Sequence, residues 1–214
     1  MTNSFTSSTV HISIPNTSQV VTLLMPDEDS LRNWYYINKK NNKHTLFPYW
    51  AKLWPSAIAL ASFLLNNITL IKNKEVLELA AGLGLPSFAI AEIASKITIS
   101  DYAADAVAFL KKQSIFQQCK HIHFQQLSWH HLPENISADV VLLSDVNYEP
   151  AEFGSLLMCI QQLLEQKITI ILATPQRLMA KEFVQQCLVY STNNAQVTIT
   201  NNGKEEVISI FVLQ

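Results

Sequence analysis

The chain of 214 residues has few cysteines, no surplus of positive charge and no long hydrophobic run. Its cysteines, Cys119, Cys159 and Cys187, are odd in number and form no CxxC pair, which fits a reducing compartment. The formal net charge is -2, whereas nucleic-acid-binding proteins typically carry a basic excess. The polar start lacks the basic and apolar regions of a signal peptide, and no apolar run could span a bilayer. We therefore expect a cytoplasmic protein with neither a nucleic-acid nor a membrane partner.

Strands and helices alternate from residue 75 onward. Hydrophobic residues make up 49% and charged residues 15%, a composition typical of globular rather than disordered chains. Seven strands are predicted, over residues 75–79, 97–100, 121–127, 139–144, 167–173, 196–200 and 206–213. The sequence thus predicts an α/β fold, a doubly wound, Rossmann-like, mostly parallel seven-stranded sheet with an antiparallel C-terminal hairpin. Helices are predicted over residues 86–95, 103–110, 156–164 and 177–189.

The N-terminal part has a different pattern. Alternating runs at 11–14 and 19–24 predict a short β-hairpin, and the polar stretch 38–44 predicts a loop. Pro55 fits the first turn of a helix that ends near Asn66. We expect an N-terminal β-hairpin and loop extension over residues 1–47, followed by one α/β domain over residues 48–214.

The strand at 75–79 leads into a turn of small residues, Ala80-Ala81-Gly82-Leu83-Gly84, where a ligand can approach the backbone closely. Asp101 closes the next strand, where a carboxylate can accept hydrogen bonds from ribose hydroxyls. The dinucleotide pattern GxGxxG is absent because its third glycine is replaced by Ser87. Glu78 would repel a pyrophosphate but suits the α-amino group of S-adenosylmethionine. A plain strand–helix turn without a ligand is the alternative.

Four segments carry a family resemblance. They are Tyr49-Trp50-Ala51 with Trp54-Pro55-Ser56-Ala57, Glu78 to Leu85, Leu127-Ser128-Trp129, and Ser144-Asp145-Val146-Asn147-Tyr148. The second resembles the ExGxGxG loop of the seven-β-strand (class I) S-adenosylmethionine-dependent methyltransferases. All four, in this order, resemble the branch that contains many protein lysine methyltransferases and carries a DxxY motif. The cofactor implied is S-adenosyl-L-methionine.

The resemblance implies a role for each matching position. It implies cofactor contacts by Trp54, Glu78, Ala80, Ala81, Gly82, Asp101, Tyr102, Ser128, Trp129 and Ser144. Asp101 would bind the ribose, Ser128 and Trp129 would border the adenine, and Ser144 would line the methionine side. Ala80 replaces the family's usual glycine and is tolerable only if φ there is negative. We also expect Asp101 to lie near solvent, so that the fold survives its replacement by alanine.

Asp145 and Tyr148 are the predicted catalytic residues. Methyl transfer from a sulfonium needs an unprotonated amine, which then develops positive charge. A carboxylate can hold that amine and stabilise its growing charge, and a tyrosine adds a hydroxyl and an aromatic face. In the resembled branch, DxxY is associated with activity on lysine. The alternative is that Asp145 caps a turn and Tyr148 belongs to the core.

The hypothesis is a monomeric enzyme that methylates a protein lysine. A small-molecule N-methyltransferase acting on a pyridine or amine metabolite, and a non-catalytic cofactor-binding partner, are the alternatives. Nucleic-acid adenine methyltransferases have a proline-containing motif at this strand end, and residues 145–148 contain none. No metal site is predicted, because no carboxylate or cysteine completes a set with His121 and His123.

Overall fold

The computed structural model describes residues 5–42, 45–117, 121–201 and 203–214. Its centre is a seven-stranded sheet in the order β5-β4-β3-β6-β7-β9-β8. The strands are β3 Glu75–Leu79, β4 Lys96–Asp101, β5 Ile122–Gln126, β6 Val140–Ser144, β7 Thr169–Pro175, β8 Ser191–Asn201 and β9 Lys204–Leu213. The first five are parallel, and β9 pairs antiparallel with both β7 and β8. The predicted fold class is confirmed. One of the three cysteines, Cys119, lies outside the described residues.

Two apolar layers cover the sheet because successive strand residues face opposite sides. On one side Val76, Val140 and Leu142 join a core that includes helices α2 Pro55–Asn66, α3 Leu85–Ala89 and α4 Ala104–Gln117. On the other side Leu77, Val141 and Leu143 pack with α5 Phe153–Glu165 and α6 Lys181–Leu188. From β3 the chain adds β4 and β5 on one side and then returns to add β6 and β7 on the other. This switch in strand order places a crevice at the carboxyl ends of β3 and β6.

The N-terminal segment forms more regular structure than its sequence indicates. The predicted hairpin is present as β1 Ser7–Ser13 paired with β2 Val20–Pro26. A helix follows, α1 Glu28–Asn41, so the prediction of a loop from residue 38 is wrong up to Asn41. Asp27 caps this helix by accepting a hydrogen bond from Ser30 N at 2.9 Å, which satisfies one of the free N–H groups of the first turn.

Helix α3 is shorter than predicted and ends at Ala89 rather than near Ser95. Beyond that point the bonds from Ala91 N to Phe88 O and from Ile93 N to Ile90 O have a three-residue spacing, which interrupts the α-helical pattern. The tight turn brings Ser95 N within 2.9 Å of Lys74 O, next to the start of β3. Pairing with the sheet therefore overrides the local helical pattern. In the described part of the chain, no helix is long and apolar enough to cross a membrane.

Candidate active site

The turn after β3 adopts three left-handed backbone conformations. The φ angles are +52° at Ala80, +55° at Gly82 and +72° at Gly84. The expectation of a negative φ at Ala80 is therefore wrong: the alanine adopts the conformation that glycine favours, at a steric cost. At Gly82 a Cβ atom would lie 2.9 Å from the backbone oxygen of Trp50, so only glycine fits between the turn and the segment before α2.

Asp101, at the end of β4, holds this turn in place. Its Oδ2 accepts a hydrogen bond from Gly82 N at 3.1 Å and its Oδ1 accepts one from Ala103 N at 2.9 Å. The side chain is buried, with 3% exposure, so the expectation that it lies near solvent is wrong. Burial raises the pKa of Asp101, while the backbone N–H donors oppose that rise. Asp101 nevertheless lines the cavity beside the turn, where it can still accept a hydrogen bond from a ligand.

Glu78 lies beneath the turn. It is fully buried on the α2–α4 side of β3, and its Oε2 accepts a hydrogen bond from Ser87 N at 3.1 Å. Burial raises the pKa of Glu78 to about 7. Its Oε1 is buried without a hydrogen-bond partner among the described residues. The side chain does not line either of the cavities described below, and its hydrogen bond to Ser87 N supports the turn.

Two adjoining cavities open at the carboxyl ends of the strands, with volumes of about 330 Å³ and about 430 Å³. The first is lined by most of the predicted site residues, namely Trp54, Ala80, Ala81, Gly82, Asp101, Tyr102, Trp129, Ser144, Asp145 and Tyr148. The second contains Ser128 and shares Ala80, Tyr102, Trp129 and Tyr148 with the first. The sequence-predicted residues therefore converge, apart from Glu78.

The second cavity is bounded by the segment after β5. Ser128 caps a short 3-10 helix by accepting a hydrogen bond from His130 N at 3.3 Å. Trp129 Nε1 donates a hydrogen bond to Glu152 Oε2 at 3.0 Å, and His130 Nε2 lies 2.7 Å from the same oxygen. These contacts fix the indole at the boundary of both cavities, which the half-exposed ring of Tyr102 also lines.

The motif after β6 projects two side chains into the first cavity. Asp145 has a φ of +57° and only 9% exposure. Tyr148 is 39% exposed, so it does not belong to the core. Burial, with smaller effects from Tyr102, Asp101 and neighbouring glutamates, raises the pKa of Tyr148 to about 12. Its hydroxyl is therefore uncharged at neutral pH and can both donate and accept a hydrogen bond.

Asp145 has two partners that sequence reasoning missed. Arg177, just after β7, places Nη1 2.5 Å from Asp145 Oδ1. Ser56, at the start of α2, places its hydroxyl 3.5 Å from Asp145 Oδ2. The available signal was topological, since β7 neighbours β6 and its carboxyl end reaches the same crevice. No local pattern marks Arg177 as part of a site.

A doubly wound sheet with a left-handed turn after one central strand and a carboxylate at the end of the next strand is typical of nucleotide-cofactor-binding enzymes. The sequence model of a family described as lysine methyltransferase matches residues 41–189, well over half of the chain, and the chain belongs to this family. It is an S-adenosylmethionine-dependent methyltransferase. Three features fit that cofactor: the turn at Gly82 where no side chain has room, the two adjoining cavities, and the Asp101 carboxylate that lines the first of them.

Individual relatives are distant. The chain is 24% identical over 144 residues to human "Histone-arginine methyltransferase METTL23", covering 64% of this chain and 76% of that protein. It is 29% identical over 132 residues to "Protein N-lysine methyltransferase METTL21A" of Xenopus tropicalis, covering 59% of this chain and 61% of that protein. Across four METTL23 relatives, the matches span between 53% and 76% of the relative's length.

The fold also matches solved methyltransferase structures. The N-methyltransferase NodS of Bradyrhizobium japonicum WM9 in complex with S-adenosyl-L-homocysteine gives a TM-score of 0.61 at 12% identity. The match covers 84% of this chain and 98% of that chain. At this identity the likeness establishes the fold alone. In the described ranges, no three His, Cys, Asp or Glu side chains are grouped as they would be to hold a metal ion.

Proposed function

We propose that this enzyme transfers a methyl group to a lysine side chain of a protein, with Asp145 and Tyr148 at the acceptor nitrogen. The observation that carries the proposal is the placement of both side chains in the cavity that also contains Asp101 and the glycine turn. A carboxylate and a neutral phenol hydroxyl at one point can orient an amine by accepting its N–H groups. The family description and the METTL21A name support lysine as the acceptor.

S-adenosylmethionine, when bound, supplies a methyl group on a positively charged sulfur. The lone pair of the acceptor nitrogen forms the new N–C bond, and the electrons of the C–S bond remain on sulfur. The chain supplies position: we assign the ribose to Asp101, the adenine to the boundary of Tyr102, Ser128 and Trp129, and the methionine side to Ser144 and the turn. Trp54 would lie along the cofactor, with its Nε1 anchored to Tyr49 O at 3.2 Å.

The N-terminal segment would contribute to the acceptor side, and this rests on ring contacts. Tyr35 contacts Phe47 at 5.2 Å, Phe47 contacts Tyr49 at 4.9 Å, and Tyr49 contacts Tyr148 at 6.0 Å between ring centroids. We retain the division into an extension over residues 1–47 and a domain over residues 48–214. We also expect a monomer that acts in the cytoplasm without a nucleic-acid partner. The free thiols of Cys159 and Cys187 support a reducing compartment.

Arginine is the second candidate acceptor. The METTL23 relatives are named histone-arginine methyltransferases, and Asp145 already holds a guanidinium, that of Arg177. An amine or pyridine metabolite is the third. One experiment separates them: the enzyme is incubated with methyl-labelled cofactor and a cell extract, and labelled products are identified by mass spectrometry. Methyllysine in a protein supports the proposal, whereas methylarginine, a labelled metabolite or no label would each overturn it.

A further inference from the structure

The ion pair between Asp145 and Arg177 shields one side of the predicted acceptor carboxylate. Asp145 Oδ1 and Arg177 Nη1 are both excluded from solvent, and neither has a partner with hydrogen-bond geometry among the described residues. Their separation of 2.5 Å makes each the closest charge to the other. The two side chains are 8% and 27% exposed, so solvent screens their attraction only in part.

The pair leaves Asp145 Oδ2 as the oxygen that can meet an acceptor. Among the described residues, the hydrogen-bond contact of Oδ2 is a long one, 3.5 Å from the Ser56 hydroxyl. An acceptor nitrogen that donates one N–H to Oδ2 would therefore face a carboxylate whose charge is already balanced. The other titratable or charged groups lining this cavity are Lys52, Asp101, Tyr102, Glu149 and the tyrosines at 49 and 148.

The charge balance at Asp145 decides which form of an amine is bound. An unpaired carboxylate favours the ammonium form, which has no lone pair and cannot accept a methyl group, whereas a nearby guanidinium disfavours it. We propose that Arg177 sets the charge of the acceptor subsite, holding Asp145 Oδ1 so that the acceptor lysine binds Oδ2 as an uncharged amine. This inference rests on the proposed function and makes Arg177 a positioning residue that acts through Asp145.

The test compares variants at the two arginines of the sequence. Arg177→Met removes the charge and keeps the length of the side chain, Arg177→Lys keeps the charge, and Arg32→Met on α1 is the matched control. Methylation rates on extract protein are measured from pH 6 to pH 10. Binding of n-butylamine, a probe for the lysine side chain, to the complex with S-adenosylhomocysteine is followed by NMR.

Arg177→Met is expected to shift the rate profile by about one pH unit toward higher pH, because an ammonium is now stabilised. At pH 7, n-butylamine is expected to bind about 10-fold more tightly, and both kcat and KM for the protein acceptor fall. Arg177→Lys restores most of the wild-type profile, and Arg32→Met matches wild type. The affinity for S-adenosylhomocysteine stays within about 3-fold in all variants.

An unchanged pH profile and unchanged n-butylamine binding in Arg177→Met overturn the inference. A parallel loss of S-adenosylhomocysteine affinity also overturns it, because Arg177 would then be a cofactor contact. If Arg177→Met does not fold, Arg177→Gln removes the same charge while still donating a hydrogen bond to Asp145. Failure of the wild-type enzyme to methylate lysine in any protein contradicts the proposed function instead, so the two failures are distinguishable.

Discussion

Asp101 and Gly82 are joined by a hydrogen bond of 3.1 Å from the glycine N–H to the carboxylate Oδ2. The bond links the end of β4 to a turn whose left-handed conformation leaves no room for a side chain at Gly82. Because the same carboxylate lines the cavity, the shape of the turn and the proposed recognition of the ribose depend on one side chain.

Replacing Asp101 by alanine is therefore expected to weaken both the fold and the cofactor complex. Two part-buried backbone N–H groups, of Gly82 and Ala103, lose their acceptor. A fully buried unsatisfied group costs about 1–3 kcal/mol, so we expect a loss of unfolding free energy toward the lower end of that range for each. The loss of the ribose contact weakens cofactor binding by a further ~1–3 kcal/mol. Urea unfolding and calorimetry with S-adenosylhomocysteine measure the two effects, with the exposed Asp105→Ala as control. Wild-type affinity in a folded Asp101→Ala protein would place the ribose elsewhere.

Glu78 is expected to make the ligand-free protein less stable as the pH rises. Its pKa is about 7 in the folded chain and 4.5 in the ordinary exposed state, so the folded state keeps the proton longer. The stability that this proton confers is present below pH 4.5 and is lost as the pH rises to about 7. The loss is roughly 3 kcal/mol at about 1.4 kcal/mol per pKa unit.

Glu78→Gln removes this titration and can still accept the hydrogen bond from Ser87 N. Its unfolding free energy relative to wild type should therefore rise between pH 4.5 and pH 8, measured by urea unfolding. The exposed Glu92→Gln provides the control and should track wild type throughout. A difference between Glu78→Gln and wild type that does not change with pH would show that Glu78 stays ionised when buried.

Ala80 carries a steric cost that glycine would relieve. A left-handed conformation costs an alanine about 1–2 kcal/mol, and the greater freedom of glycine in the unfolded chain returns about 0.4–1 kcal/mol of that. We expect Ala80→Gly to be neutral or to stabilise the protein by up to ~1.6 kcal/mol, with cofactor affinity retained. Ala81→Gly, at a position without a positive φ, should instead destabilise it. Thermal unfolding of the two variants side by side checks the difference in sign.

Tyr148→Phe is expected to reduce kcat by about 2- to 13-fold, the effect of one lost hydrogen bond of about 0.5–1.5 kcal/mol. The ring remains, and its contact with Tyr49 at 6.0 Å should persist. Because the hydroxyl has a pKa of about 12, it should add no step to the rate profile between pH 6 and pH 10. Tyr36→Phe, on the exposed side of α1, is the matched control. Full activity in Tyr148→Phe would remove the hydroxyl from the acceptor site.

Patterns that are local in sequence predicted the fold, and most of the residues that they single out line the two cavities. The β6 run at 140–144 is apolar because both faces are covered, and the small residues of the turn mark a close backbone approach. Helix α1 was not predicted, because its Asn- and Lys-rich end resembles a loop. The N-cap residue Asp27 and the acidic first turn were signals in the sequence that pointed to this helix. The end of α3 and the role of Arg177 depend on neighbouring strands, and sequence spacing does not encode those contacts.

The most direct test of the acceptor role of Asp145 uses the variant Asp145→Asn. Two quantities are measured on it: kcat with the protein that the labelling experiment identifies as acceptor, and the affinity for S-adenosylhomocysteine. Asparagine keeps the shape but leaves the Arg177 guanidinium without its counter-charge, which disfavours a developing ammonium. Loss of one such electrostatic contact typically lowers the rate by a factor of about 10²–10³. We predict a fall in kcat of that size with cofactor affinity nearly unchanged. Full activity, or a loss of cofactor affinity in proportion to the loss of activity, would contradict the assignment of Asp145 to the acceptor amine.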